Sequence, residues 1–131
     1  MDHRTETFQR HRRRLLGIAY RMLGSTADAE DVLQDAWLRW NESDTEGLRS
    51  AEAWLVTIVT RLAIDRLRAA RTEREVYPGF WLPEPLVEPL DDDSPQALLE
   101  RADDDHMALL KVLEQLGPEE RAAFVLRQAF D

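Results

Sequence analysis

The helix that decides the fold reads DAEDVLQDAWLRW and covers residues 28–40. Its apolar side chains recur at intervals of three and four residues, which places them on one face of an α-helix. Those positions are Ala29, Val32, Leu33, Ala36, Trp37 and Trp40. Ser25 precedes Asp28 by three residues, the spacing of a helix N-cap followed by an acidic first turn. We therefore predict an amphipathic helix whose apolar face belongs to an ordinary hydrophobic core.

The opposite face of this helix carries a mixed set of side chains. It consists of Asp31, Gln34, Asp35, Leu38 and Arg39. An aliphatic residue among charged neighbours is typical of a protein contact with a charged helical partner. A solvated helix face explains the same pattern equally well, because single exposed leucines are common on protein surfaces. The residues alone leave both interpretations open.

The segments on either side predict two further helices. Apolar spacing indicates a helix over about residues 8–23, which Gly24 ends. The polar stretch 41–47 predicts a loop. A longer helix follows over about residues 50–75, and it is apolar on most sides between residues 54 and 64. We expect this third helix to form the centre of a bundle.

A basic stripe runs along the third helix. Its members are Thr57, Arg61, Arg68 and Arg71, with Arg66 and Arg74 close by. Spacings of four, seven and three residues align the first four on one face. The arginines can neutralise phosphates, Thr57 can reach a base edge or a sugar, and the preceding loop can hold an unstacked base. Arginines near a helix C-terminus also suit the helix dipole, so the pattern alone does not establish nucleic-acid binding.

A proline-rich acidic segment follows at residues 77–94. Its prolines restrict the backbone and remove hydrogen-bond donors, so it cannot continue the helix. A charged tether explains most of it. Tyr77, Trp81 and Leu82 do not fit a tether, and we predict that these large apolar side chains dock on another surface. Beyond it, Ser94-Pro95 predicts a helix over residues 95–116, and Gly117-Pro118 ends that helix and begins another.

The charge of the chain is unevenly distributed. Residues 77–131 hold 4 Lys plus Arg and 13 Asp plus Glu, whereas residues 1–76 hold 13 of each, so the acidic part supplies the whole net charge of −9. An acidic chain is a poor general nucleic-acid binder but can bind through a local basic stripe. Its 131 residues suit one medium domain or two very small ones. A polar N-terminus and the lack of an apolar run of about 20 residues predict a cytoplasmic protein without a membrane segment.

Catalytic and metal sites are not predicted. The chain has no cysteine, which excludes disulfides and cysteine-ligated metals. It has no His-Glu-x-x-His, Glu-x-x-His or glycine-rich phosphate loop. Asp103 and His106 are spaced to share a metal, but no matching partner motif accompanies them. We expect neither enzymatic activity nor a cofactor, and a metal-dependent helical enzyme is kept as an alternative.

Three stretches together resemble region 2 of the extracytoplasmic-function (ECF) sigma factors of bacterial RNA polymerase. They are GSTADAEDVLQDAWLR at residues 24–39, AWL at 53–55 and LAIDRLR at 62–68, and the resemblance extends over about residues 5–75. The segment YPGFWLPEP at 77–85 resembles the signature of a subgroup whose members carry an extra C-terminal domain of the SnoaL/NTF2-like type, absent from this sequence. Residues 113–124 are similar to the opening of sigma region 4.

The resemblance implies an all-α fold in three parts: region 2 at 1–76, an extended acidic linker at 77–94, and at 95–131 a region 4 cut short before its helix-turn-helix. It implies that the exposed face of the second helix grips the clamp helices of the polymerase's largest subunit. The loop 41–49 and the third helix would melt and read the minus-ten element on the non-template strand. The residues implied in that contact are Trp54, Thr57, Ile58, Arg61 and Arg68.

Further features of the resemblance bear on partners and specificity. Thr60-Arg61 stands where many relatives have Arg-Asn, which leaves the base preference undetermined. An anti-sigma factor or a SnoaL-like domain of the same protein is a possible further partner. A second hypothesis is an acidic helical adaptor, similar to an anti-sigma factor, that binds polymerase without touching DNA. Neutralising Arg61 and Arg68 separates the two, because only a sigma factor would lose minus-ten binding.

Overall fold

The computed structural model describes residues 2–76 and 107–130, with the backbone alone for residues 74–76. These ranges contain five α-helices and no strand, which confirms the predicted all-α class. The helices are α1 (His3–Leu23), α2 (Thr26–Glu42), α3 (Ala51–Val76), α4 (Met107–Glu114) and α5 (Pro118–Phe130). The predicted bounds of the second and third helices agree with α2 and α3 to within two residues.

The first two helices begin and end where the sequence supplies capping groups. Asp2 is the N-cap of α1, and its Oδ1 accepts the backbone N–H of Arg4 at 2.7 Å. Gly24 ends α1 in the left-handed region at φ 73°, and its N–H donates to a carbonyl in the last turn. Ser25 then caps α2 by accepting the N–H of Asp28, as predicted. The start of α1 lies about five residues before the predicted one, because this polar first turn carries no apolar periodicity.

The centre of the bundle is α1, and the prediction that the third helix is central was wrong. Helix α1 packs against each of the other four helices. The largest fully buried side chains come mainly from it and from the helix faces turned toward it: Leu15, Ile18, Tyr20, Met22, Val32, Leu55, Val59, Leu113 and Val125. In α3, Trp54, Ile58 and Ile64 stay partly exposed, so its apolar run reaches the surface.

The two C-terminal helices join the same hydrophobic core. Their buried members are Leu110 and Leu113 of α4 and Ala122 and Val125 of α5. Arg121 of α5 is only 4% exposed, and its guanidinium donates to the carbonyl oxygen of Met22 at 2.5 Å. Met22 lies in the last turn of α1, where carbonyls lack helical partners and the helix dipole favours a cation. The contact ties α5 to the end of α1.

Several predicted features lie outside the described residues. They are Tyr77, Trp81, Leu82, the Asp103 and His106 pair, the acidic linker and the first part of the predicted helix at 95–116. The proposed division into three segments therefore stays a prediction. Within the two described ranges, no helix has the length and apolarity of a membrane span. In those ranges the acidic and histidine side chains form no group of three that could bind a metal.

Candidate nucleic-acid and protein interfaces

The outer face of α2 presents every residue predicted to contact a protein partner. Asp31, Gln34, Asp35, Leu38 and Arg39 are all exposed, and Leu38 leaves 49% of its surface accessible. The buried side of the same helix contributes Val32, Leu33 and Ala36 to the core. The face is therefore predominantly acidic with one aliphatic side chain near its middle. Its role in binding stays a prediction.

Arg66 belongs to this α2 surface and not to the basic stripe of α3. Its guanidinium lies 3.6 Å from a carboxylate oxygen of Asp28 and 3.7 Å from one of Asp31. Two residues of α-helix separate Arg66 from Arg68, a rotation of about 200°, so the two side chains point to different sides. Arg66 thus links α3 to the acidic face of α2, and its expected part in phosphate binding stays a prediction.

Trp37 lies at the rim of a groove between α1 and α2 and is only half-buried. Its ring meets that of Phe8 edge-on, with 5.3 Å between centroids. The groove has a volume of about 190 Å³, and Gln34 lies on its wall. Trp37 was assigned wholly to the core from its spacing, because periodicity cannot distinguish a core position from a groove rim. The groove therefore adjoins the exposed α2 face.

A cavity between the α2–α3 loop and the start of α3 gathers most of the predicted DNA-contacting residues. Its volume is about 380 Å³, within the range of small-ligand sites. Its lining residues are Leu48, Arg49, Ser50, Ala53, Trp54, Thr57, Ile58 and Arg61. Four residues of the predicted α3 site thus meet the predicted loop here. Ser50 and Ala53 were not predicted, although Ser50 has the pattern of an N-cap.

The side chains of this loop cavity suit an unstacked nucleobase and its phosphate. Trp54 and Ile58 offer apolar and aromatic surface for stacking, while Arg49 and Arg61 are exposed cations at the same opening. The Thr57 hydroxyl donates to the carbonyl of Ala53 at 2.7 Å. Its proton is therefore engaged, and toward a ligand it can only accept a hydrogen bond, as from a base amino group.

The α2–α3 loop, which lines one side of the cavity, is held in shape by its own short-range hydrogen bonds. Asp44 Oδ1 accepts the N–H of Glu46 at 3.0 Å, an Asx turn that bends the chain after α2. Gly47 has φ 82°, a conformation that L side chains rarely adopt. Ser50 Oγ accepts the N–H of Ala53 at 3.1 Å and so caps α3. The loop is thus a defined turn between two helix ends.

The other half of the predicted basic stripe lies against α5. Arg68 forms an ion pair with Glu119, and Arg71 lines a separate cavity of about 300 Å³ beside Glu114 and Pro118. Neither arginine reaches the loop cavity lining. Arg74 lies in the last turn of α3, and its side chain is outside the described residues. The structure therefore divides a stripe that the sequence presents as continuous.

Comparison with known proteins agrees with this architecture. Residues 7–73, about half of the chain, match the family Sigma-70 region 2. The chain is 48% identical over 123 residues to the ECF RNA polymerase sigma factor SigJ of Mycobacterium tuberculosis, covering 94% of this chain and 39% of SigJ. It is 34% identical over 126 residues to the probable ECF RNA polymerase sigma factor SigI of the same species, covering 92% of this chain and 41% of SigI.

A solved structure shares the fold. The crystal structure of the extracytoplasmic function sigma factor SigJ of Mycobacterium tuberculosis aligns with this chain at a TM-score of 0.65 and 43% identity. The alignment covers 96% of this chain and 42% of the SigJ chain. The chain thus spans about two-fifths of the length of the curated relatives named above. The helical bundle, the region 2 match and these similarities agree with the resemblance of the α2 and α3 motifs. The chain belongs to the ECF sigma factors of the sigma-70 family.

Proposed function

We propose that this chain supplies the part of a transcription initiation factor that binds core RNA polymerase and the minus-ten promoter strand. The observation that carries the proposal is the loop cavity, where Trp54, Thr57, Ile58 and Arg61 meet the α2–α3 loop at an exposed cationic opening. An acidic protein with such a local site can bind nucleic acid without being generally basic. The chain performs no chemistry itself and acts in the cytoplasm, with the polymerase.

The polymerase contact is proposed to lie on the exposed face of α2. Asp31 and Asp35 supply negative charge, and Leu38 supplies an apolar centre that loses water on docking. Such a face complements a helical partner with basic side chains around an apolar groove, the chemistry we assign to the clamp helices of the largest subunit. Gln34 lies between this face and the α1–α2 groove, so the contact can extend to Trp37.

The minus-ten contact is proposed to lie in the loop cavity. A base of the non-template strand would leave the stack and lie against Trp54 and Ile58, with Arg49 and Arg61 beside its phosphates. Capturing an unstacked base stabilises the separated strands and so promotes melting. Arg68 would join this surface only when its ion pair with Glu119 is released, and Arg71 only when it leaves its position beside Glu114 and Pro118.

The remaining assignments follow the family pattern. Residues 1–76 act as region 2, residues 77–94 as an acidic linker that runs through polymerase toward the active site and RNA exit channel, and residues 95–131 as the beginning of region 4. Tyr77, Trp81 and Leu82 would dock the linker on region 2, on a SnoaL-like domain or on polymerase. An anti-sigma factor would be a competing partner for the α2 face.

The polymerase contact is tested by co-elution of the chain with bacterial core RNA polymerase. The variant Gln34→Ala, Asp35→Arg, Leu38→Asp changes the α2 face, and we expect it to be lost from the complex. The matched control Gln115→Ala, Glu73→Arg, Val112→Asp makes the same chemical changes at exposed positions away from α2, and it should be retained. Equal retention of both variants would move the contact elsewhere, and failure of the native chain to co-elute would contradict the proposal.

The strand contact is tested by binding of labelled single-stranded DNA to the chain–polymerase complex. Replacing Arg49 and Arg61 with alanine removes both cations of the loop cavity and should weaken binding. Exposed Arg10 and Arg13 of α1 provide the matched control, since their replacement removes the same charge from another helix. If strand binding is unchanged in the cavity variant while polymerase binding persists, the adaptor hypothesis replaces the sigma assignment of this site.

A further inference from the structure

Arg4, near the start of α1, makes a long-range connection to the far end of α2. One guanidinium nitrogen donates to the carbonyl of Trp40, and the other donates to the carbonyl of Ser43 at 2.6 Å. In return, the indole Nε1–H of Trp40 donates to the carbonyl of Arg4 at 2.9 Å. The guanidinium carbon also lies 6.0 Å from the centre of the Trp40 ring. Three hydrogen bonds therefore join two helix ends 36 to 39 residues apart.

The carbonyls that Arg4 engages are the ones that end α2. Helix C-termini expose carbonyls without helical donors, and the dipole there is negative. Many helices end with a glycine in the left-handed conformation, but Ser43 caps α2 with φ −77° and ψ 155°. The Ser43 N–H and hydroxyl both donate to the Trp40 carbonyl. Arg4 adds a third donor to the Trp40 carbonyl and one to the Ser43 carbonyl, and its bonds are partly buried, which limits screening by salt.

Both residues whose carbonyls Arg4 binds, Trp40 and Ser43, adjoin parts of the protein that line the loop cavity. Trp40 is 2% exposed, and its ring lies 5.4 Å from that of Trp54, which lines the cavity. Ser43 begins the loop whose later residues, Leu48 and Arg49, also line the cavity. Arg4 thus acts on the cavity indirectly, through the Trp40–Trp54 ring contact and through the first residue of the loop, and does not line the cavity itself.

We propose that Arg4 is a positioning residue for nucleobase capture in the loop cavity. The inference rests on the proposed function of that cavity and adds a residue on α1 that holds Trp40, the ring neighbour of Trp54, and the first residue of the loop. A side chain that holds the Trp40 and Ser43 carbonyls at a fixed separation restricts the point where α2 ends and the loop begins. Arg4→Lys can satisfy one carbonyl at a time, because an ammonium lacks the planar fork of a guanidinium. Arg4→Ala satisfies neither.

The test uses the chain bound to core RNA polymerase and two forms of one DNA strand. The strand is a single-stranded oligonucleotide of about 12 nucleotides, selected as the tightest binder from a random pool. The second form carries one abasic position, moved along the strand until the loss of affinity identifies the captured base. Arg13→Ala is the matched control, since it removes the same charge from an exposed position of the same helix. Co-elution with polymerase is recorded for every variant.

The expected result is a loss confined to the captured base. For Arg4→Ala, the affinity for the intact strand falls about tenfold, the scale of one base–aromatic contact, while affinity for the abasic strand stays unchanged. Arg4→Lys lies between the native chain and Arg4→Ala, and Arg13→Ala lowers both affinities equally or not at all. Trp40→Phe, which keeps the ring but removes the indole N–H, provides a milder variant if Arg4→Ala does not fold.

Two results would overturn the inference. Equal losses on the intact and abasic strands would assign Arg4 a general structural role, and so would an unchanged intact-strand affinity in both Arg4→Ala and Trp40→Phe. A third result has a different meaning: a native chain that binds polymerase but does not distinguish intact from abasic strands would overturn the proposed cavity function itself. The two failures are therefore distinguishable from the native chain alone.

Discussion

The two halves of α3 carry similar side chains on the same face and meet different surroundings. In the first half, Thr57 and Arg61 open onto the loop cavity beside the exposed cation Arg49. In the second half, Arg68 pairs with Glu119 of α5, and Arg71 lies near Glu114 of α4. Helical spacing makes the four positions equivalent, whereas among the described residues the other helices place acids beside Arg68 and Arg71 and form no ion pair with Arg61. The availability of a cation for phosphate therefore depends on its neighbours more than on its periodicity.

The two halves also differ in what their arginines can contribute to a complex. An arginine without a competing carboxylate can neutralise a phosphate and release its counterions at no cost to the fold. An arginine paired with a carboxylate must first exchange that partner for the phosphate, so the net gain is smaller. If α3 binds a strand as proposed, its first half can do so without rearrangement, whereas Arg68 and Arg71 first have to leave their acidic neighbours on α5 and α4. Each of the following changes tests this difference.

Arg121→Met should have the largest effect, because it releases α5 from the bundle. The thioether side chain keeps much of the buried stem's packing but leaves the Met22 carbonyl without its guanidinium donor. We expect a loss of about 2 kcal/mol in the free energy of unfolding, the scale of a buried hydrogen bond to a charged group. Urea unfolding measures it, and hydrogen exchange should accelerate in α5. Gln128→Ala, exposed on the same helix, is the control and should change neither quantity.

The same variant examines the second half of α3 directly. Once α5 has separated, Arg68 loses its acidic neighbour Glu119, so binding of single-stranded DNA should strengthen and its salt dependence should steepen. Unchanged exchange in α5 would contradict the view that Arg121 secures this helix. Faster exchange with unchanged strand binding would leave the fold argument intact and refute the idea that α5 withholds Arg68 from the strand.

Arg61→Ala compared with Arg68→Ala is the next largest effect and measures the difference between the halves. We expect Arg61→Ala to weaken single-strand binding by about tenfold at low salt and to reduce the salt slope by roughly 0.7, the value for one phosphate contact. Arg68→Ala should change affinity by less than about twofold, because its charge is already matched by Glu119. Fluorescence anisotropy across a salt series gives both quantities. Equal losses for the two variants would erase the distinction.

The sequence predicted local features of the fold well because their causes are local. Ser25 caps α2 as its spacing to Asp28 indicates, and the apolar face of α2 is buried at Val32 and Leu33. Leu38 is exposed, as its position on the opposite face requires. Each of these features depends on residues within about two turns of helix, and helical periodicity is sufficient to predict them. The loop between α2 and α3 follows from the same kind of pattern.

The long-range contacts of Arg121 and Arg4 could not be predicted from the sequence, because the atoms that they bind are backbone carbonyls far along the chain. Arg121 donates to a carbonyl 99 residues away, and Arg4 to carbonyls 36 and 39 residues away. A carbonyl has no sequence signature, and a buried arginine is rare enough that exposure is the sensible expectation. The division of the α3 stripe could not be predicted either, because Glu119, which pairs with Arg68, lies in a different helix. Assigning the loop cavity thus required both the periodic pattern and the fold.

Thr60→Val tests the side of α3 that faces the core, next to Arg61 in the first half. Thr60 is 8% exposed, and its hydroxyl has no hydrogen-bond partner among the described residues. Replacing it with an isosteric methyl group should stabilise the chain by about 1 kcal/mol, because a buried hydroxyl without a partner carries a desolvation cost. Urea unfolding measures the gain, and strand binding should not change. Thr57→Val, on the exposed face, is the control and should alter strand binding without stabilising the fold. A destabilised Thr60→Val would indicate that its hydroxyl is satisfied.

Glu119→Gln should have the smallest effect on stability and still bear on the comparison. The Arg68–Glu119 pair is about 60% exposed on both sides, so its loss should cost no more than about 0.5 kcal/mol. The uncharged amide nevertheless frees Arg68, so single-strand binding should rise slightly at low salt and return to the native value as salt screens the charge.

Glu120→Gln removes the same charge one residue along α5 and is the matched control. A larger rise for Glu119→Gln than for Glu120→Gln would show that the pairing itself, rather than the net charge of α5, restrains the second half of α3. Equal rises would reduce the difference between the two halves to general electrostatics.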